Sequence, residues 1–182
     1  KIWDPARISK SPAIFDPLKL RAINAAYIRA LPAEEFRKLA DPFIDQAVHV
    51  QIDRDLLCAN LQPRCEVLED IPPQLDFFDA VLPIDAEMYR NKKQKTTPES
   101  AKEALSALLP VLEAQTDWSR DAIFEACKQK AEAMEKKNGW LLFPLGIALS
   151  GKARTPGGGT DLAAMMGKEE TLRRLNAAIE AL

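Results

Sequence analysis

The sequence predicts an all-α protein built from two small helical subdomains. Three observations carry this. Helix-start signals recur: Asp16-Pro17 and Thr97-Pro98-Glu99 each put a capping side chain before a proline suited to the first helical position. Apolar residues then follow at three- and four-residue spacing, the period of one helix face. The one alternating stretch, AVHVQI at 47–52, has no partner strand in view, so it reads as an extended link.

In order, the chain opens irregularly on IWDPARISKSPAIFD. A first helix starts at Asp16-Pro17 and carries Leu20, Ile23, Tyr27, Ile28 and Leu31. Pro32 closes it and starts a second, with Phe36, Leu39 and Phe43 as its apolar face. Asp53 caps a third, with Leu56, Leu57, Leu61, Cys65 and Leu68 inward, broken at Pro72-Pro73. LDFFDAVLP reads as a short aromatic-rich helix. The basic run RNKKQKTT at 90–97 is a solvated linker or a phosphate-facing patch, and the subdomain boundary is placed in it, giving 1–95 and 96–182. Thr97-Pro98 starts the next helix, with Ala101, Ala104, Leu105, Leu108 and Leu112 as its stripe and a kink expected at Pro110. Another runs from Ser119 through Ile123, Phe124, Cys127 and Met134 and ends at Asn138-Gly139. A last one spans 168–182, with Leu172, Leu175, Ile179 and Leu182 at intervals of 3, 4 and 3.

Composition narrows the function classes. The 47% hydrophobic fraction suffices for a core, and 182 residues suit one large domain or two small ones. A net charge of −2 gives no global basic field, so any nucleic-acid contact must come from a local patch. No apolar run approaches the ~18 residues that span a bilayer. A chain opening on Lys1 rather than methionine is expected to be a piece of a longer protein. Cys58, Cys65 and Cys127, without a CxxC pair, read as buried thiols of a reducing cytoplasm. His49 stands alone and reads as a half-buried structural histidine, not a metal ligand or general base.

The stretch 138–159, NGWLLFPLGIALSGKARTPGGG, is the most suggestive. A buried apolar element runs into a loop with Lys152, Arg154, Thr155, Pro156 and three glycines, which something outside can approach closely. Residues 146–152, GIALSGK, match seven positions of a phosphate-binding G-x-x-x-x-G-K loop. Ala153 stands where the magnesium-binding Ser or Thr should be, and no βαβ alternation surrounds it. The acidic pairs Glu34-Glu35, Glu69-Asp70 and Glu169-Glu170 lie near helix starts, where the positive dipole end accounts for them. No nucleophile set can be assembled around a single histidine. On residues alone this is a helical binding or assembly module.

Three segments resemble bacterial-type glutamyl-tRNA synthetases, in the family's order and over essentially the whole chain. SKSPAIFDPLKLRAINAAYIRAL is similar to the passage from the stem-contact region into the anticodon-binding helices. LQPRCEVLEDIPPQLDFF is similar to the middle helical segment. FPLGIALSGKARTPGGGTDLAAMMGKEETLRRLNAAI resembles the C-terminal end, with its PLR-ALTG, SPG or TPG, and G-K-E-x-x-x-R-R-L pattern. The resemblance implies two helical subdomains that form a cage around the anticodon loop of tRNA-Glu, and possible use of tRNA-Gln, in a cytoplasmic monomer. It implies a base-reading loop at Gly146, Lys152, Ala153, Arg154, Thr155, Pro156 and Gly157. It also implies that Arg64 reads the third anticodon base, which separates glutamate from glutamine tRNAs. The family's nucleotide-binding domain, with its HIGH and KMSKS signatures, lies upstream, and ISKS at 8–11 is not that loop. ATP, magnesium and glutamate activation therefore belong to the parent chain, and these residues should be inactive alone, with no cofactor or metal. One departure stands out: the family has Arg after Pro-Leu, and here it is Gly146. The alternative function is a helical protein–protein docking module that does not bind RNA. A third reading, an autonomous nucleotide-hydrolysing enzyme, runs against Ala153.

Overall fold

The computed structural model describes residues 15–182, with eight α-helices among them. The irregular opening and the stem-contact segment fall, up to residue 14, outside the described residues. Helix α1 is Pro17–Ala30, capped by Asp16 Oδ1, which accepts from the Leu18 and Lys19 amides at 3.0 and 3.2 Å. Pro32 precedes α2, Ala33–Ile44. Its buried face is Phe36, Ala40 and Ile44, whereas Leu39 points outward at 47% exposure, so the expected Leu39 stripe is one position off. Residues 47–52 are extended and turn-like, as expected, and form no strand.

Asp53 caps α3, Arg54–Leu61, which is shorter than predicted. Pro63 lacks an N–H and obstructs further α-helix, and the chain continues in 3₁₀ turns at Gln62–Arg64, Leu68–Asp70 and Pro72–Gln74. The expected aromatic helix in LDFFDAVLP does not form. Those residues are successive turns that bury Leu75, Phe77 and Phe78. His49 is also not half-buried. Its side chain is 72% exposed, and Nδ1 lies 2.5 Å from Asp79 Oδ2. The basic run folds into a tight reversal in which Asn91 and Thr96 exchange backbone hydrogen bonds, both 3.1 Å.

In the second half, α4 is Pro98–Ala114 and α5 is Arg120–Ala133. Thr97 and Ser100 cap α4 reciprocally, and its predicted stripe is wholly buried. Asn138-Gly139 opens α6, Asn138–Ser150, instead of closing α5, which already ends at Ala133. Two further helices follow: α7, Gly159–Met166, which begins within the glycine run and was not predicted, and α8, Lys168–Ala181.

Helix α6 organises this half. Trp140, Leu141, Leu145, Ile147, Ala148 and Leu149 are buried, and α4, α5, α7 and α8 pack against it, while Leu142, Phe143 and Gly146 are only partly covered. An apolar helix buried over most of its surface is the expected core element. One cluster of buried residues runs from Ile28 to Ala178 and includes Cys58, Cys65 and Cys127. Burial pushes these thiols up to about 11, 11 and 12 respectively. Most unusual in the core is Arg174 on α8, 1% exposed. Its guanidinium donates to Phe77 O at 2.7 Å, Phe78 O at 2.8 Å and Leu149 O at 2.6 Å, and pairs with Glu170 Oε1 at 2.5 Å. It thereby ties α8 to the end of α6 and to the aromatic turn of the first half.

Candidate nucleic-acid interface

The loop after α6 is shaped by its own backbone demands. Gly151 ends the helix at φ +66°, a left-handed conformation that L side chains rarely adopt. A Cβ there would also meet Leu82 Cβ at 2.9 Å. Buried Ser150 holds the turn: its hydroxyl donates to Gly146 O at 2.7 Å and accepts from the Lys152 amide at 3.0 Å. Residues 146–150 are therefore helix, not a phosphate-cradling loop, and the residues present do not fit ATP and magnesium there. Among the described residues no group of three or more His, Cys, Asp or Glu is placed to hold a metal ion.

Lys152 does not reach outward. Its ammonium donates to Pro73 O at 2.9 Å, pairs with Asp76 and lies 6.0 Å from the Phe77 ring centre. It straps the loop to the 3₁₀ turn Pro72–Gln74. Arg154 is exposed and has no hydrogen-bond or ion-pair partner among the described residues. Thr155 Oγ1 donates to Gly157 O at 2.5 Å. Arg64 Nη1 approaches Thr155 O at 3.5 Å, so a side chain 91 positions away in sequence sits against the loop.

Beyond it, Gly158 N donates to Asp161 Oδ2 at 2.7 Å, and Asp161 Oδ1 accepts from Arg120 Nε at 3.1 Å. The Arg120–Asp161 pair fixes the start of α7. Gly159 must be glycine for packing: a Cβ would lie 2.8 Å from Leu142 O and 3.0 Å from Gly146 N.

These contacts shape one cleft of about 670 Å³, lined by Arg64, Gln74, Ala153, Arg154, Thr155, Gly157 and Gly158. Gly146 lines a smaller adjoining pocket of about 150 Å³ with Lys152 and Gly159. A Cβ at Gly146 would meet only Gly159 backbone atoms, at 3.7 and 3.8 Å. Pro156 is buried and lines neither. Gln74 and the Arg120–Asp161 pair were not among the predicted site residues. Nothing local in PPQ or SRD marks them, because their roles arise from contacts across the chain. A separate groove of about 490 Å³ between α2 and α3 contains Arg37, but that cation is paired with Asp41 and Asp55.

A cationic cleft floored by close-approach backbone suits unpaired bases and phosphates. The family model described as "Anticodon binding domain" matches residues 25–179. The chain belongs to the anticodon-binding-domain family. Among its relatives is a glutamate–tRNA ligase of Clostridium botulinum, 43% identical over 175 residues, covering 96% of this chain and 36% of that protein. Another, from Clostridium acetobutylicum, is 41% identical over 183 residues and 38% of its length. The chain thus spans little more than a third of the curated relatives it matches. A solved glutamate tRNA ligase from Elizabethkingia meningosepticum, in complex with its amino acid, superposes with a TM-score of 0.83 at 26% identity. That match covers 99% of this chain and 35% of the solved one. The anticodon-binding fold and the expected all-α class are thereby established. No helix among the described residues is long and apolar enough to cross a membrane.

Proposed function

We propose that this chain grips the anticodon loop of tRNA-Glu as part of a glutamate–tRNA ligase, and that tRNA-Gln is the related RNA it must separate or accept. The observation that carries the reading is the shared cleft: Arg64 from the first half and Arg154, Thr155 and Gly157 from the second line one cavity. On this reading the halves 1–95 and 96–182 act as two sides of one grip. Arg154, free of protein partners among the described residues, is the electrostatic contact. Arg64 reads a base edge. Lys152 serves by holding the loop to Pro73 and Asp76, and buried Pro156 by restricting the loop backbone. Gly146 leaves space where the family has arginine.

The whole ligase would join glutamate to tRNA with ATP and magnesium, in the cytoplasm, as a monomer. This chain would bind RNA and not activate glutamate. A titration against tRNA-Glu and anticodon variants tests the reading. Binding should be salt-sensitive, Arg154→Glu should weaken it, and Arg64→Gln should narrow the gap between glutamate and glutamine anticodons. Equal affinity for all anticodons would sink the proposal.

One observation favours the alternative, a protein-docking module: Phe15, Leu18 and Tyr27 on and beside α1 are 76%, 78% and 73% exposed. No RNA binding even at low salt would support that reading instead.

A further inference from the structure

We infer that Gln74 is a base-reading residue of the cleft, supplying the hydrogen-bond acceptor that its guanidinium groups lack. The inference rests on the function proposed above and deepens it.

Arginine carries five N–H donors and no acceptor. Arg64 and Arg154 can therefore contact only acceptor atoms of an RNA. Glutamate anticodons end in cytosine and glutamine anticodons in guanine. The pairing edge of cytosine offers an amino donor with two acceptors, and that of guanine one acceptor with two donors. A guanidinium finds an acceptor on either, so Arg64 alone separates them poorly. A donor and an acceptor held in a fixed order along the edge match cytosine, whose amino group lies at one end beside its acceptors, and oppose guanine, whose carbonyl lies there beside its donors.

Gln74 is the side chain of the cleft that can complete such a pair. Of the other lining side chains only the Thr155 hydroxyl can also accept, and it is half-buried and turned into its own loop, where it donates to Gly157 O, while the Thr155 carbonyl faces Arg64. Gln74 ends the 3₁₀ turn that Lys152 straps to the loop through the Pro73 carbonyl and Asp76. Its backbone amide donates to Ile71 O at 3.0 Å. Its Nε2 donates to Asp70 O at 2.6 Å, which leaves Oε1 without a partner among the described residues. The exposed carboxamide is thus tethered at its nitrogen and open at its oxygen. With Arg64 donating to the ring nitrogen or O2 of cytosine, Gln74 Oε1 accepts from the cytosine amino group. This also assigns Lys152 a positioning role, because its strap sets where Gln74 stands relative to Arg154.

The test uses residues 1–182 and two RNA hairpins with the glutamate anticodon, one with cytosine and one with guanine at the third position. Dissociation constants are measured at one fixed salt concentration. The unmodified chain should prefer cytosine. Gln74→Ala should cut that preference about tenfold, mainly by weakening the cytosine hairpin. Gln74→Lys, a donor only, should lose it. Melting temperatures of both variants should stay level because the side chain is exposed. A preference that survives Gln74→Ala or Gln74→Lys to within about twofold overturns the inference and leaves the proposed function standing. An unmodified chain blind to the third base overturns the proposed function, and this inference with it.

Discussion

Replacing Arg174 with methionine should cost the protein a large part of its stability. The two side chains are similar in length, so the change removes hydrogen bonds more than volume. Three carbonyls lose their donor: Phe77 O, Phe78 O and Leu149 O, all on buried residues. Leu149 O is one of the last four carbonyls of α6, which have no partner within their own helix. Each buried carbonyl left unpaired costs about 1–3 kcal/mol. Glu170 keeps Arg173, at 2.7 Å, so no carboxylate is stranded. Allowing for water reaching one of the carbonyls, the net loss is about 4 kcal/mol. Domains of this size are stable by only about 5–15 kcal/mol in all. The melting temperature should fall by about 10 °C. Urea unfolding followed by far-UV circular dichroism measures the change directly. Arg174→Lys, with three donors instead of five, should fall between the two. A loss below about 1 kcal/mol for Arg174→Met would refute the reasoning, since it would mean those carbonyls find other partners at no cost.

Glu170 gives a pH test. The Arg173 and Arg174 guanidinium groups hold its carboxyl at about 2, below the usual 4.5. A depressed acid contributes stability that is complete above 4.5 and lost as pH falls from 4.5 towards 2. The melting temperature should drop across that window more steeply than in Glu170→Gln. Gly159→Ala should destabilise by about 1–3 kcal/mol through the clash with Leu142 O. Gly146→Ala, whose Cβ meets only ordinary contacts, should instead stabilise by up to about 1 kcal/mol, and thermal melts of the two separate these signs. Burial holds the Cys58, Cys65 and Cys127 thiols protonated well above neutrality, so a thiol reagent at mildly alkaline pH should label them slowly in buffer and quickly in urea.

Helix starts were the most legible part of the fold. A cap such as Asp16, Asp53 or Thr97 is a contact between residues two or three apart, and its chemistry is written locally. The α4 stripe was equally plain because its apolar residues face one way throughout. Two misreadings share one cause. The spacing extends the third helix through Cys65 and Leu68 and makes LDFFDAVLP a helix, because buried turns and buried helices both place apolar residues at short intervals. Helix α7 was hidden for the opposite reason. A run of glycines reads as loop, yet Gly159 is there because α6 passes too close for any side chain.

By itself, then, the sequence determined the all-α class, the caps, the buried thiols and the cationic glycine loop. Each follows from short-range periodicity, local hydrogen bonding or composition. Tertiary structure alone decided what the cations of the chain do. Arg174, spaced like any surface arginine, became the buried tie between halves, and Lys152 became a strap. Arg64 and Gln74 were carried to the loop from positions about 80–90 residues away. A charged side chain reads the same in sequence wherever it ends. Whether it meets carbonyls, a carboxylate or open solvent depends on which distant segments the core has brought beside it.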